Sequence, residues 1–193
     1  MIRAASGPWL VRHAQPLIAS GVCYGATDVA ADPEATEASA LVLAHQLPHG
    51  ARLMSSPLRR CAQLAQALQR LRPDLLASSD ARLVEMDFGC WEGWRWDDIP
   101  KPAIDAWTAR FGDWRFGGRE SVQELLDRVA GVWAEACAAT APVAWITHAG
   151  VIRAALLLSQ GIRVVERSDQ WPTQAPAFGK LVRAGLIPAM PLR

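Results

Sequence analysis

Arg12 and His13 end a short apolar run in the stretch WLVRHAQP, Trp9 to Pro16. Arginine pairs with oxyanions through a planar fork of donors, and histidine carries a proton or attacks as a nucleophile near neutral pH. Similar residues follow two other apolar runs: Arg59 and Arg60 lie just beyond residues 51–55, and His148 directly follows residues 143–147. Singly, each has an ordinary explanation, since arginines at helix starts are commonly solvated and a lone histidine commonly satisfies a backbone group. Two histidines and at least two arginines at three run ends are better explained by one shared functional site.

Those runs read as β-strands, residues 8–12, 51–55 and 143–147, with a weaker candidate in PAFGKLVRAG near the C-terminus. Between them the apolar period becomes helical, an alternation that argues an α/β fold. Ligands of open α/β sheets bind beyond the carboxyl ends of the strands, where helix N-termini present free N–H groups. A helix is expected directly after the second strand. Ser56 can cap it, Pro57 suits its first position, and Leu58, Cys61, Ala65, Leu68 and Arg72 recur on one face. Ser121 and Glu124 have capping-box spacing, and Val122, Leu125, Val129, Val132 and Ala136 give the next helix a buried face leading into VAWITHAG. Asp32-Pro33 opens another helix through about Leu47. Residues 86–116 are tryptophan-rich and irregular, an expected excursion over one face.

A chain of 193 residues, 51% hydrophobic and 20% charged, suits one domain over residues 1–193 with a single substantial core. The formal net charge of +1, without runs of like charge, gives no electrostatic case for nucleic acid or an anionic membrane surface as partner. Any cationic site must therefore be local. Cys23, Cys61, Cys90 and Cys137 are widely spaced with no C-x-x-C pair, so reduced thiols are expected. No segment reaches transmembrane length and the N-terminal residues lack a signal-peptide core, so a cytoplasmic protein is expected.

Four blocks in order, LVRHAQP, SSPLRRCAQLA, EMDFGCWEG and WITHAGVIRAAL, resemble the signatures of the histidine phosphatase superfamily, which includes the phosphoglycerate mutases. GVCYGATDV and the compact length most resemble the branch containing α-ribazole phosphatases of cobalamin assembly. The resemblance implies a three-layer α/β/α sandwich around a mainly parallel sheet, a small-molecule phosphomonoester as substrate, and neither cofactor nor metal. It implies that His13 is the nucleophile and forms a phosphohistidine, with Arg12, Arg60 and His148 around the nonbridging oxygens. The family pattern of leucine, any residue, then arginine selects Arg60 over Arg59. Glu85 takes the role of acid toward the leaving group and then of base toward water. Asp87 and Glu92 receive secondary structural or substrate-orienting roles, and Gln15, Tyr24, Gly25 and Ala149 are the implied substrate-binding positions.

The chemistry suits these residue types. A phosphomonoester repels nucleophiles with its negative charge, so a metal-free site needs fixed cations and an in-line nucleophile. A neutral imidazole can attack phosphorus with one nitrogen while a backbone carbonyl holds the proton on the other. Trp91, Trp94 and Trp96 are expected to close the core beneath the excursion rather than wall the substrate, and Phe178 and Gly179 to be structural.

Some positions depart from the family pattern. Ala14 and Pro16 stand where glycine and threonine are common, and Arg119 intervenes before Glu120-Ser121, which leaves Glu120 without a clear role. Ala19 occupies the position of an asparagine expected in mutases, so a phosphatase is expected rather than a mutase. The alternative from another class is a non-catalytic phospho-ligand binding protein, against which His13 and Glu85 argue. A metal held by His13 and His148 is disfavoured because the neighbouring arginines would repel it.

Overall fold

In the computed structural model, which describes residues 7–184, the three apolar runs are strands β1 (Trp9–Arg12), β2 (Arg52–Ser55) and β4 (Val143–Thr147). An edge strand, β3 (Leu76–Ser79), and a C-terminal strand, β5 (Leu181–Arg183), complete a five-stranded sheet of order β3-β2-β4-β1-β5. The first four are mutually parallel, and β5 runs antiparallel beside β1. The main helices are α1 (Pro33–Gln46), α2 (Arg59–Leu71), α3 (Lys101–Ala109), α4 (Val122–Ala138) and α5 (Ala149–Ser159).

Successive strand side chains point to opposite faces, so apolar neighbours along one strand feed two separate cores. Val11, Leu53, Ala144 and Ile146 pack with Leu43, Leu64 and Leu68 from α1 and α2. Leu10, Met54, Val143 and Trp145 pack with Leu125, Val129, Ile152 and Ala155 from α4 and α5. The result is the expected three-layer sandwich. Every residue of β4 is buried, as a parallel strand covered by helices on both faces requires.

Register brings the ends of three strands together. Arg12 pairs with Thr147 and Ser55 with Ile146. The ladders continue one residue further, with His13 N–H donating to Thr147 O at 2.9 Å and Ser56 N–H to Ile146 O at 3.0 Å. His13, Ser56 and His148 therefore leave the sheet at one edge.

Local signals set several helix starts. Asp32 accepts from Ala35 N–H at 2.8 Å, and the Ser121–Glu124 capping box is present in both directions. The start of α2 differs from expectation: Leu58 is extended and the helix begins at Arg59 rather than Pro57. The Ser56 hydroxyl, expected to cap that helix, lies 2.9 Å from His148 Nε2 and makes only a 3.3 Å contact with Leu58 N–H. The excursion is also more ordered than expected, since it contains α3 and several short 3-10 turns. Its small core is built on Cys23, Ile99 and Phe116, with Phe88, Trp91, Trp96 and Trp107 packed against them. Among the described residues, no helix is long and apolar enough to cross a membrane.

Because α4 carries much of one core and its first turn depends on the capping box, Ser121→Ala should destabilise the protein by about 1 kcal/mol. Urea unfolding should show a lower midpoint with an unchanged slope. An unchanged midpoint would mean that packing alone sets the start of α4.

Candidate active site

The His13 ring is buried at the end of β1, and its Nδ1 lies 2.7 Å from Ala14 O. A carbonyl can only accept, so the proton resides on Nδ1 and Nε2 keeps its lone pair. Ala14 supplies this contact through its backbone, so the absence of glycine there removes nothing. Burial, aided by the positive charges of Arg60 and Arg12 and opposed by the Ala14 contact, pushes the His13 pKa down to about 3. At neutral pH the ring is an uncharged nucleophile with a fixed tautomer.

Two guanidinium groups share its hollow. Arg12 donates from Nη1 to Pro176 O at 3.0 Å, lies 3.9 Å over the Phe178 ring, and has a buried Nε with no partner among the described residues. Arg60 is wholly buried, with Nη1 donating to Thr27 O and Nη2 to Gly25 O, each at 2.7 Å. Each terminal nitrogen of Arg60 retains a second N–H, a pair suited to a tetrahedral oxyanion. Arg59 faces away from this site, pairing with Asp28 at 3.2 Å on the exposed surface.

His148 is a neutral partner rather than a third cation. Arg60 Nε donates to its Nδ1 at 3.3 Å, which places the proton on Nε2, directed at Ser56 Oγ. Burial, reinforced by Arg60, holds its pKa well below the usual histidine range. Both ring nitrogens are thus engaged by the protein, and their most direct effect is to orient Arg60.

Glu85 lies where the chain enters the excursion. Its Oε2 accepts from Gly150 N–H at 2.9 Å and its Oε1 from Met86 N–H at 3.1 Å. Gly150 leaves room for this carboxylate, since a Cβ there would stand 2.3 Å from Glu85 Oε1 and the side chain would have to shift. Arg12, His13, Tyr24, Arg60, Glu85, His148 and Ala149 line one hollow of about 200 Å³.

The other expected positions separate. Tyr24 lies in the hollow, its ring centroid 5.3 Å from Arg60 Cζ, and burial raises its pKa, keeping the phenol neutral. Gly25 acts through its carbonyl, and its lack of a side chain admits Met86 O, which a Cβ would meet at 1.7 Å. Gln15 is exposed outside the hollow and uses its backbone carbonyl to accept from Asp32 N–H. Glu92 has a structural position, accepting from Ala26 and Phe88 N–H groups at 2.8 and 3.1 Å. Asp87 pairs with Arg119 at 3.2 Å, and Glu120 with Arg128 at 2.6 Å.

Sequence reasoning missed Val22, Phe88 and Arg153 as lining residues and Ser56 as a partner of His148. The SSPLRR block contained Ser56, but its hydroxyl also suits a helix cap. Trp96 lines the hollow as well as joining the excursion core, whereas Trp91 packs only in that core and Trp94 is exposed. Phe178 does more than close the sheet, since its ring supports Arg12 and lies 5.3 Å from that of His13.

The model of the histidine phosphatase superfamily (branch 1) matches residues 9–173. Among solved structures, a mycobacterial glucosyl-3-phosphoglycerate phosphatase with inorganic phosphate is 25% identical, with TM-score 0.69 over 82% of this chain and 81% of that one. A protein from Thermus thermophilus is 27% identical, with TM-score 0.66 over 91% of each chain. A structure described as mycobacterial hydrolase 2 is 26% identical, with TM-score 0.70 over 82% of this chain and 74% of that one. No curated protein sequence matches significantly.

Nitrogen-15 NMR should find both active-site rings neutral from pH 8 to pH 5, with His13 protonating only near pH 3. A depressed His pKa contributes stability that is full above the unfolded value of about 6.5 and is lost as pH falls toward the folded value. Protonation of His13 near pH 6.5 would remove the basis for its assignment as a ready nucleophile.

Proposed function

The chain belongs to the histidine phosphatase superfamily, and on that footing we propose that it hydrolyses small phosphomonoesters through a phosphohistidine at His13, without a metal. The observation carrying this reading is the buried His13 ring, neutral and fixed by Ala14, in the same hollow as two guanidinium groups. The similar structure named as a glucosyl-3-phosphoglycerate phosphatase supports phosphatase chemistry. α-Ribazole 5′-phosphate is the specific candidate suggested by the resemblance of GVCYGATDV.

In the first step, the Nε2 lone pair forms an N–P bond as the P–O ester bond breaks. Arg12 and Arg60 stabilise the negative charge on the nonbridging oxygens, and Glu85 gives a proton to the departing oxygen. In the second, Glu85 takes a proton from water, whose oxygen attacks phosphorus. The N–P electrons return to Nε2 and phosphate departs. The two arginines supply the charge neutralisation that a metal provides elsewhere.

Glu85→Gln preserves size but removes the transferable proton. In single-turnover experiments it should slow phosphoryl transfer from an alkyl phosphate by about 10²–10⁴, and far less from p-nitrophenyl phosphate, whose phenolate leaves without help. Equal slowing for both esters would reassign Glu85 to positioning alone.

Arg60→Ala should lower kcat by about 10²–10³, the scale for loss of a preorganised oxyanion donor, while Arg59→Ala should leave it nearly unchanged. The reverse ranking would contradict the assigned clamp. Activity should survive chelator treatment, and loss restored by a divalent metal would refute the metal-free mechanism.

A further inference from the structure

Glu85 borders three hollows: the one holding His13, a polar groove of about 610 Å³, and an apolar cavity of about 310 Å³. A leaving group whose oxygen is protonated by Glu85 can extend into either of the latter two. The polar groove touches the phosphate hollow only at Glu85, and its charges are mutually paired, Arg119 with Asp87, Arg128 with Glu120 and Arg115 with Glu124. The apolar cavity shares Glu85, Phe88, Trp96 and Arg153 with the phosphate hollow, which makes it the more continuous route.

Its walls are aromatic. Phe88, Trp96, Trp107 and Phe111 come from the excursion, while Trp171 comes from the segment after α5. Arg153 of α5 holds the segment that carries Trp171 by donating from Nη2 to Thr173 O at 3.1 Å, and its buried Nε has no partner among the described residues. Trp107 and Phe111 stack at 5.3 Å, with the Trp171 ring edge-on to Phe111 at 6.2 Å. Flat ring faces favour another flat ring through stacking or edge contacts. The volume falls at the small end of ligand sites, about 300–1,000 Å³, enough for a ring system rather than a long chain.

We propose that this cavity receives a planar ring carried by the leaving alcohol, so that the preferred substrates are phosphomonoesters of ring-bearing alcohols. The proposal rests on the phosphatase reading and adds a specificity subsite to it. Phe88, Trp107 and Trp171 select the ring, and Arg153 lies beside the chain that links it to the ester oxygen.

Naphthylethyl phosphate and ethyl phosphate test this, because both release primary alkoxides but only one carries a ring. The wild type should hydrolyse the naphthylethyl ester with a kcat/KM about ten- to hundredfold higher, the usual range for apolar-pocket discrimination. Trp107→Leu should reduce that ratio by about tenfold. Since this change also loosens the excursion core, Ser168→Glu, which places bulk and a solvated charge at the exposed rim of the cavity without adding a ring face, serves as the second variant and should reduce the ratio similarly. Calorimetry with naphthylethanol, which needs no turnover, should show binding by the wild type and weaker binding by Ser168→Glu. A ratio near one without alcohol binding, or a high ratio unchanged in both variants, overturns the ring site. No hydrolysis of either ester, alongside alcohol binding weakened by Ser168→Glu, upholds the ring site and counts against the phosphatase reading.

Discussion

Burial and the positive charges of Arg12 and Arg60 act in the same direction on His13, toward the neutral ring, and Ala14 O determines which nitrogen remains free. The arginines therefore have two effects on one reaction. They neutralise the phosphoryl oxygens, and they keep the nucleophile unprotonated beside them. An exposed histidine would be partly protonated near neutral pH. His148 extends the same logic, because its neutral Nδ1 can accept from Arg60 Nε, whereas a charged imidazolium would repel it. The surrounding backbone completes the arrangement: Gly25 O and Thr27 O fix Arg60, and Pro176 O fixes Arg12.

What positions these groups is the shared end of three parallel strands, and this was legible because its signals are local. The apolar runs before Arg12, Ser56 and His148 are short and sharply bounded, and β4 matches its expected range. Ser121 and Glu124 read correctly because a capping box depends on residues three apart. β3 was missed because Leu76-Ala77-Ser78-Ser79 is a largely exposed edge with no apolar alternation. α3 was missed because its nine residues carry only a short, half-buried apolar stripe, Ala103, Ile104 and Trp107, too brief to establish a helical period. Ser56 was misread because a hydroxyl before a helix serves equally as a cap or as a side-chain partner.

Long-range relations were less accessible. Contact between Glu85 and Gly150 spans 65 residues, and only the family resemblance placed that carboxylate near the nucleophile. The tryptophans divide their work in a way that spacing could not reveal. Trp96 stacks on Phe116 at 6.0 Å, supporting the excursion, while lining both the phosphate hollow and the apolar cavity. The excursion thus couples a small core of its own to the placement of Glu85, linking stability of that segment to the chemistry at the sheet edge.

The account stands most directly on where the phosphoryl group resides during turnover. Rapid alkaline quenching of the enzyme with a phosphomonoester, followed by phosphorus and nitrogen NMR of the phosphoprotein, locates the bond. The account predicts phosphorus on Nε2 of His13, appearing and decaying at rates competent for turnover. Phosphorus on Nδ1 or on another residue, or turnover retained in His13→Ala, would contradict it.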